Sequence, residues 1–270
     1  MKLNNRLREF AGADAAITEF GIKANTMDLY NIPDYEKPRQ IRDEIPTLNR
    51  FGFMKFEWDG FCKEFVDYAK KNNNMPVLEI GPAYGWVTHR ALERDIEIIA
   101  LDISTRHLEI LLKEAPRAKL DKLYLYPGSF PDEVEFPEES LSAVLASRIL
   151  HFLRGNEIEA GLDKIYRWLK KGGKLFCSNC SIYHYTVKEK MLALFKEREK
   201  NGDKWPGTVV SEQGFETGIE DFFHPFDISV FERVLPEHGF KIDKIKLFDY
   251  PSDIYSENNE GHVGFIATKI

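Results

Sequence analysis

The stretch VLEIGPAYGWVT, residues 77–88, decides how the rest of the chain is read. An apolar strand ends beside an acidic residue, Glu79, turns through Gly81, Ala83 and Gly85, and gives way to an amphipathic helix. Pro82 fixes its own φ near −65° and biases Gly81 away from the helical region, so the strand stops there. Glycine at 81 and 85 permits a positive φ or close ligand approach, either of which a Cβ would hinder. The turn therefore gathers backbone amides and one carboxylate at a point suited to a nucleotide-type cofactor. The plainer alternative is an ordinary strand-to-helix turn.

The continuation weighs against that alternative. IEIIALDIS, residues 96–104, is a nearly unbroken apolar run ending at Asp102, as expected of a strand buried on both faces of a parallel sheet. A carboxylate about 20 residues past a glycine turn in a β-α-β unit sits where ribose hydroxyls can donate to it. The dinucleotide fingerprint G-x-G-x-x-G, laid on Gly81, would require a small residue at 86, and the chain has Trp86. The third glycine of that pattern lets helix and strand pack closely against a pyrophosphate, which an indole prevents. A nicotinamide-dependent reductase is thus the weaker enzyme reading. The pattern that fits is acidic-x-Gly-x-Ala-x-Gly, spelled by Glu79, Gly81, Ala83 and Gly85, and an acid opening the loop suits a cationic amino-acid moiety.

On these residues the chain resembles the class I S-adenosylmethionine (SAM)-dependent methyltransferases over roughly residues 57–270. The resemblance implies an α/β, Rossmann-like open sheet, mostly parallel, of order 3-2-1-4-5-7-6, with an antiparallel last strand and helices on both faces. It also implies that Glu79, Gly81, Pro82, Ala83 and Gly85 surround the methionine part of SAM, and Tyr84, inside that loop, is placed to cover the methyl site. Asp102 and Ile103 would meet the ribose, and Gly128, Ser129 and Phe130 in YPGSF would flank the adenine. Ser147 completes the cofactor set. The product would be S-adenosylhomocysteine, with no metal required. Downstream segments follow the same family order. SAVLASRILHFL (142–153) reads as a strand and loop, and EIEAGLDKIYRWLKKGGKLFCSNC (157–180) as a helix reaching Lys171, a Gly172-Gly173 stop and a strand. DISVFERVLPEHGFKIDKIKLFDY (227–250) and EGHVGFIATKI resemble the closing helix and antiparallel hairpin.

The whole chain sets limits. At 270 residues with 43% hydrophobic and 30% charged content, it is long enough to bury a core without staples. A net charge of −7 disfavours nucleic acid as the default partner. No apolar run approaches the roughly 20 residues of a membrane span, and the amino terminus lacks a secretory apolar stretch. Cys62, Cys177 and Cys180 form no disulfide framework, and C-x-x-C on a strand points its thiols to opposite faces. These features favour a reducing, cytoplasmic setting. A homodimer is compatible with the sequence.

Two segments stand outside the core pattern. Residues 1–56, carrying scattered aromatics and Pro33 and Pro38, read as an extension that caps or packs, followed by a helix from about Trp58 to Lys71. Residues 181–225 read as a substrate-side insertion with a stripe of Met191, Leu192, Leu194 and Phe195, either a lid or a packed helix.

The methyl of a sulfonium is already electrophilic, so alignment of the acceptor carries most of the rate. An alcohol or ammonium acceptor must still lose a proton, for which histidine is the natural base. His151 is the catalytic candidate, and Arg148, His151, Tyr183 and His224 are the candidates for contact with substrate; His184 and Tyr185 lie beside them in sequence. No carboxylate cluster for a metal-dependent mechanism follows the fourth strand, nor does the Asp/Asn-Pro-Pro-aromatic signature of enzymes that methylate DNA amino groups. The expected activity is methyl transfer to an oxygen or nitrogen of a small organic acceptor. A non-catalytic SAM-binding protein is the alternative outside enzymes.

Overall fold

Local sequence dictates most of the elements in the computed structural model, which describes residues 5–210, 222–252 and 255–270. Ahead of the cofactor-type motif come helix α1 (Asn5–Ala11), the short strands β1 (Ile17–Thr18), β2 (Gly21–Lys23), β3 (Glu44–Pro46) and β4 (Phe53–Lys55), and helix α2 (Gly60–Lys71). The alternating core follows as β5 (Val77–Ile80), α3 (Trp86–Glu93), β6 (Ile98–Asp102), α4 (Thr105–Glu114), β7 (Leu123–Pro127), β8 (Leu141–Ser147), α5 (Gly155–Trp168) and β9 (Leu169–Cys180). The chain then passes through α6 (Lys188–Lys200), β10 (Val209–Val210), β11 (Phe222–Phe223), α7 (Ile228–Glu237), β12 (Phe240–Phe248) and β13 (His262–Lys269).

Nine strands form one sheet in the order β1-β2-β7-β6-β5-β8-β9-β13-β12. Taking β5 as the first strand of the alternating core, that order runs 3-2-1-4-5-7-6 with β1 and β2 added at the β7 edge. Strands β7, β6, β5, β8 and β9 pair in parallel, whereas β13 pairs antiparallel with both β9 and β12. The central strands are apolar throughout because they are buried on both sides, and their two-residue period still sorts side chains by face. Leu78, Ile80, Ile99 and Leu101 enter the core shared with α5 and α7. Val77, Ile98 and Ala100 enter the opposite core with α2, α3 and α4.

Three of the helices begin on short polar caps. Asp59 accepts from Cys62 N at 2.6 Å to start α2, Ser104 accepts from His107 N at 3.4 Å to start α4, and Asp227 accepts from Ile228 N at 2.7 Å beside α7. Helix α3 starts differently, from Gly85 at φ +86°. A Cβ on Gly85 would stand 2.5 Å from Leu111 Cγ of α4, and one on Gly81, at φ +71°, would stand 2.1 Å from Ile149 Cδ1. Both glycines therefore serve backbone conformation and internal packing. The space a side chain would fill belongs to the protein, not to a ligand.

Two boundaries differ from the sequence reading. Helix α5 ends at Trp168, three residues before Lys171, because the chain is claimed by other elements. The Trp168 indole donates to Glu135 Oε1 at 2.8 Å, and Leu169 pairs with Leu141 of β8. The predicted helix from Trp58 begins at Gly60, where the Asp59 cap fixes it.

The described part of the 181–225 insertion packs as a structural layer. Met191, Phe195 and Val209 are buried in the same core as α5 and α7, and residues 211–221 lie outside the described residues. Residues 1–56 do more than trail. Strands β1 and β2 extend the sheet, while β3 and β4 form a separate hairpin whose Ile45 and Met54 pack against the α3/α4 face.

Candidate functional site

A cavity of about 300 Å³ opens at the carboxyl ends of β5, β6, β7 and β8. That edge of an open α/β sheet is where ligands are expected, beside the point at which strand order reverses on either side of β5. Glu79, Gly81, Pro82, Ala83, Asp102, Ile103, Gly128, Ser129, Phe130, Ser147 and Arg148 all line it. Eleven of the sequence-predicted residues are thus gathered from four strand ends into one space.

Glu79 is the buried acid at the end of β5. It accepts from Thr88 Oγ1 at 2.5 Å, a residue one turn into α3. Burial pushes its pKa up to about 7, against the hydrogen bonds from Thr88 that favour the carboxylate; the neighbouring Asp102 charge adds to the rise. A cation in the cavity would reverse this tendency and hold Glu79 ionised.

Asp102 ends β6, and three donors orient it. Oδ2 accepts from Ala83 N at 3.1 Å, and Oδ1 accepts from Ser104 N at 2.8 Å and from His107 Nδ1 at 3.2 Å. The histidine tautomer follows from its other nitrogen. Leu48 N–H donates to His107 Nε2 at 3.2 Å, so that nitrogen carries a lone pair and the proton resides on Nδ1. With about two acceptor directions per carboxylate oxygen, Oδ1 is filled and Oδ2 retains room for one hydroxyl. Ile103, 45% exposed, and buried Phe130 supply apolar flanks on either side of this acid. Ser129 N is held by Glu133 Oε2 at 3.0 Å, which leaves the Ser129 hydroxyl and the nearby Asp132 as the polar groups on that flank.

Five predicted site residues lie outside the cavity. Tyr84 does not reach the cavity: its hydroxyl donates to Pro46 O at 3.0 Å and its ring stands edge-on to His107, so it anchors the β3 end to the glycine turn. His151 is buried outside the cavity, with Nδ1 accepting from Cys180 N at 3.4 Å and its ring against Phe152 and Phe223. Burial, with Arg148 close by, lowers its pKa to about 3, so it packs as a neutral ring away from the cavity. Tyr183 donates to Asp227 Oδ2 at 3.2 Å beside α7, away from the cavity. His224 is wholly buried among Trp205, Phe222 and Phe226, with Nδ1 opposite Leu153 O at 3.1 Å. Gly85, placed with the cofactor residues, takes the positive φ that the sequence allowed and shapes the start of α3 without lining the cavity.

The wall that sequence reasoning missed comes from the residues before β5. Thr47, Asn49, Phe51, Phe53, Met54 and Lys55 approach from the β3–β4 hairpin, and Asp59 and Cys62 from the start of α2. Tyr250, just after β12, closes the far side. Asp59 organises this end: Oδ2 accepts from Ser178 Oγ at 3.0 Å and from Tyr250 OH at 3.2 Å, besides the thiol of Cys62. Ser147 Oγ lies 3.0 Å from Ser178 Oγ and joins the network to the end of β8. Burial raises the Cys62 thiol and the Tyr250 phenol well above their ordinary values, so both remain neutral. A signal for His107 did exist in the sequence, since Ser104 caps α4 and turns the third helical side chain back toward the strand end. Nothing comparable marked residues 47–55.

The donor set suits a cationic nucleoside. Two acids at neighbouring strand ends keep acceptor capacity toward the cavity, and apolar surface flanks the outer one. Among the described residues no group of three or more His, Cys, Asp or Glu is arranged to hold a metal, and no helix is long and apolar enough to cross a membrane.

Comparisons with known proteins point the same way. A family model described as a methyltransferase domain matches residues 77–173, the segment from β5 to the start of β9. An uncharacterized methyltransferase of Anoxybacillus flavithermus is 22% identical over 187 residues, which are 68% of this chain and 78% of that protein. Phosphoethanolamine N-methyltransferase 3 of Arabidopsis thaliana is 23% identical over 212 residues, 77% of this chain and 41% of that protein. Among solved structures, a SAM-dependent methyltransferase from Methanosarcina mazei superposes with a TM-score of 0.58 at 15% identity, covering 79% of this chain and 99% of that one. The 1,6-didemethyltoxoflavin-N1-methyltransferase of Burkholderia thailandensis, solved with S-adenosylhomocysteine, gives 0.51 at 13% identity, covering 78% of each chain.

Proposed function

We propose that this chain is a class I SAM-dependent methyltransferase that transfers a methyl group to an oxygen or nitrogen of a small organic molecule, a reading supported by the methyltransferase-domain match and by the fold it shares with such enzymes. The observation that supports the reading is the division of one cavity between two sets of residues. Glu79, Asp102, Ile103, Ser129 and Phe130 line it from the ends of β5, β6 and β7, and Phe51, Phe53, Lys55 and Asp59 line it from the chain before β5, with Arg148 and Tyr250.

In this reading SAM supplies an electrophilic methyl group when bound. Glu79 would attract the positive charge of its amino-acid end, and Asp102 Oδ2 would accept from one ribose hydroxyl, with His107 and Ser104 fixing the carboxylate's orientation. Phe130 and Ile103 would flank the base. The chain's contribution to rate is then alignment of the acceptor and exclusion of water. His107 is the one cavity-lining histidine among the described residues, and both of its nitrogens are engaged. Proton removal from an acceptor accordingly falls to a cavity carboxylate or to solvent. The Arabidopsis relative is named for methylation of a nitrogen, which makes amines the first acceptors to try.

Transfer of label from methyl-tritiated SAM to a fractionated metabolite extract tests the reading. The expected result is label in a fraction of low molecular mass, dependent on intact Asp102. Tight SAM binding with no labelled product from any extract would favour the non-catalytic alternative.

A further inference from the structure

Arg148 is the first residue past β8 and adopts φ +57°, a region that side chains other than glycine, asparagine and aspartate rarely enter. Its amide donates to Ser178 O at 2.6 Å, which pins the turn where the side chain lines the cavity. The Nε is buried without a hydrogen-bond partner, and among the described residues the guanidinium makes no ion pair. Among the described residues its one ring contact is Tyr250, with the centroid 5.7 Å away.

The acids nearest it already accept from other groups, and Glu79, which Arg148 reaches through charge alone, is the one assigned above to the cofactor's cation. Asp59 takes Cys62 N on one oxygen and the Cys62 thiol, Ser178 and Tyr250 on the other, and Glu79 is held by Thr88. Lys55 approaches the same Tyr250 ring at 5.1 Å, but its charge is met by Glu44 at 3.3 Å. Two cations thus face one aromatic ring, and only the lysine has a carboxylate partner there. A guanidinium with unfilled donors in a partly desolvated site is costly until an acceptor arrives. It also faces a cavity that, on the reading above, receives a cationic sulfonium, and two cations repel unless an anion separates them.

We propose that Arg148 anchors the methyl acceptor through an anionic group, a carboxylate or phosphate, so the acceptor is a small organic anion whose body lies near Phe51 and Phe152. The planar fork of arginine binds such groups through paired, charge-assisted hydrogen bonds. The inference rests on the methyltransferase reading of the cavity. The other source of an anion is the carboxylate of SAM itself, and the experiment separates the two.

The full chain saturated with S-adenosylhomocysteine is titrated calorimetrically with sodium benzoate, inorganic phosphate and neutral benzamide, alongside Arg148→Gln and Arg148→Lys. At least one anion should bind the wild type about tenfold more tightly than benzamide. Arg148→Gln should lose about tenfold of that affinity, with affinity for S-adenosylhomocysteine moving less than about threefold. Arg148→Lys, which keeps the charge without the fork, should fall between, and it serves alone if the glutamine variant does not fold. A tenfold loss of S-adenosylhomocysteine affinity with anion binding intact would assign Arg148 to the cofactor's carboxylate and overturn the proposal. So would anion binding no stronger than benzamide, or equal binding by the variants. Failure of the wild type to bind S-adenosylhomocysteine would instead remove the methyltransferase reading on which the proposal stands.

Discussion

Glu79 is the residue whose protonation reports most directly on the site. Burial lifts its pKa from 4.5 to about 7, so between those values the folded chain holds a proton that the unfolded chain has released. Stability from this group is therefore full at low pH and declines as pH rises toward 7, by a total on the order of 3 kcal/mol. Without ligand, the unfolding midpoint of the wild type should fall across that window, and Glu79→Gln should lack this component. Binding has the opposite sign. A cationic cofactor selects the carboxylate, so SAM affinity should rise from pH 5.5 to 8, and the glutamine variant should bind weakly with a flat profile in calorimetry. A flat wild-type profile would separate Glu79 from the cation. Both acids were legible because each ends an apolar run at a spacing the β-α-β unit explains. His151 and His224 misled for a physical reason: sequence places them near the carboxyl edge but does not reveal that Phe152, Phe223, Trp205 and Phe226 enclose them.

Elements were legible where period and caps agreed and obscure where tertiary contacts decide. Strands β5 and β6 follow from unbroken apolar runs, and α5 from its helical spacing. Strands β3 and β4, three residues each, carry too little pattern to be read and owe their form to buried Ile45 and Met54. The end of α5 was misplaced because Lys170-Lys171-Gly-Gly also describes a last helical turn, whereas Leu169 pairs with Leu141. Helix α3 offers a test of the packing account. Gly85→Ala places a Cβ at φ +86° and within 2.5 Å of Leu111 Cγ, so chemical denaturation should show a loss of roughly 2 kcal/mol or more. A second test lies at the start of α2. Asp59→Ala removes the cap and strands the Tyr250 and Ser178 hydroxyls, for an expected loss of about 2–4 kcal/mol. A loss below 1 kcal/mol would mean that the Asp59 network does not organise the far wall.

Across the whole molecule, the sheet order sets the axis of the site, and the residues before β5 complete it. The order from β7 to β8 spreads Ser129, Asp102, Glu79 and Arg148 along one edge, which spacing and family resemblance anticipated. The β3–β4 hairpin closes over that edge through contacts that no local pattern announces: Leu48 N to His107 and Tyr84 to Pro46 O. The orientation of Asp102 thus depends on a segment more than 50 residues away in sequence, because His107 joins Leu48 to Asp102. His107→Ala should accordingly weaken SAM binding by about 1 kcal/mol, through a less constrained Asp102, with little change in fold by circular dichroism.

The central claim is that Glu79 and Asp102 hold the two ends of one sulfonium nucleoside, and calorimetric titration of SAM into the wild type and Asp102→Ala tests it most directly. The account predicts one site per chain in the wild type and, in a variant that stays folded, affinity weaker by about 1–3 kcal/mol. No heat with SAM or S-adenosylhomocysteine, or equal affinity in a folded variant, would contradict it.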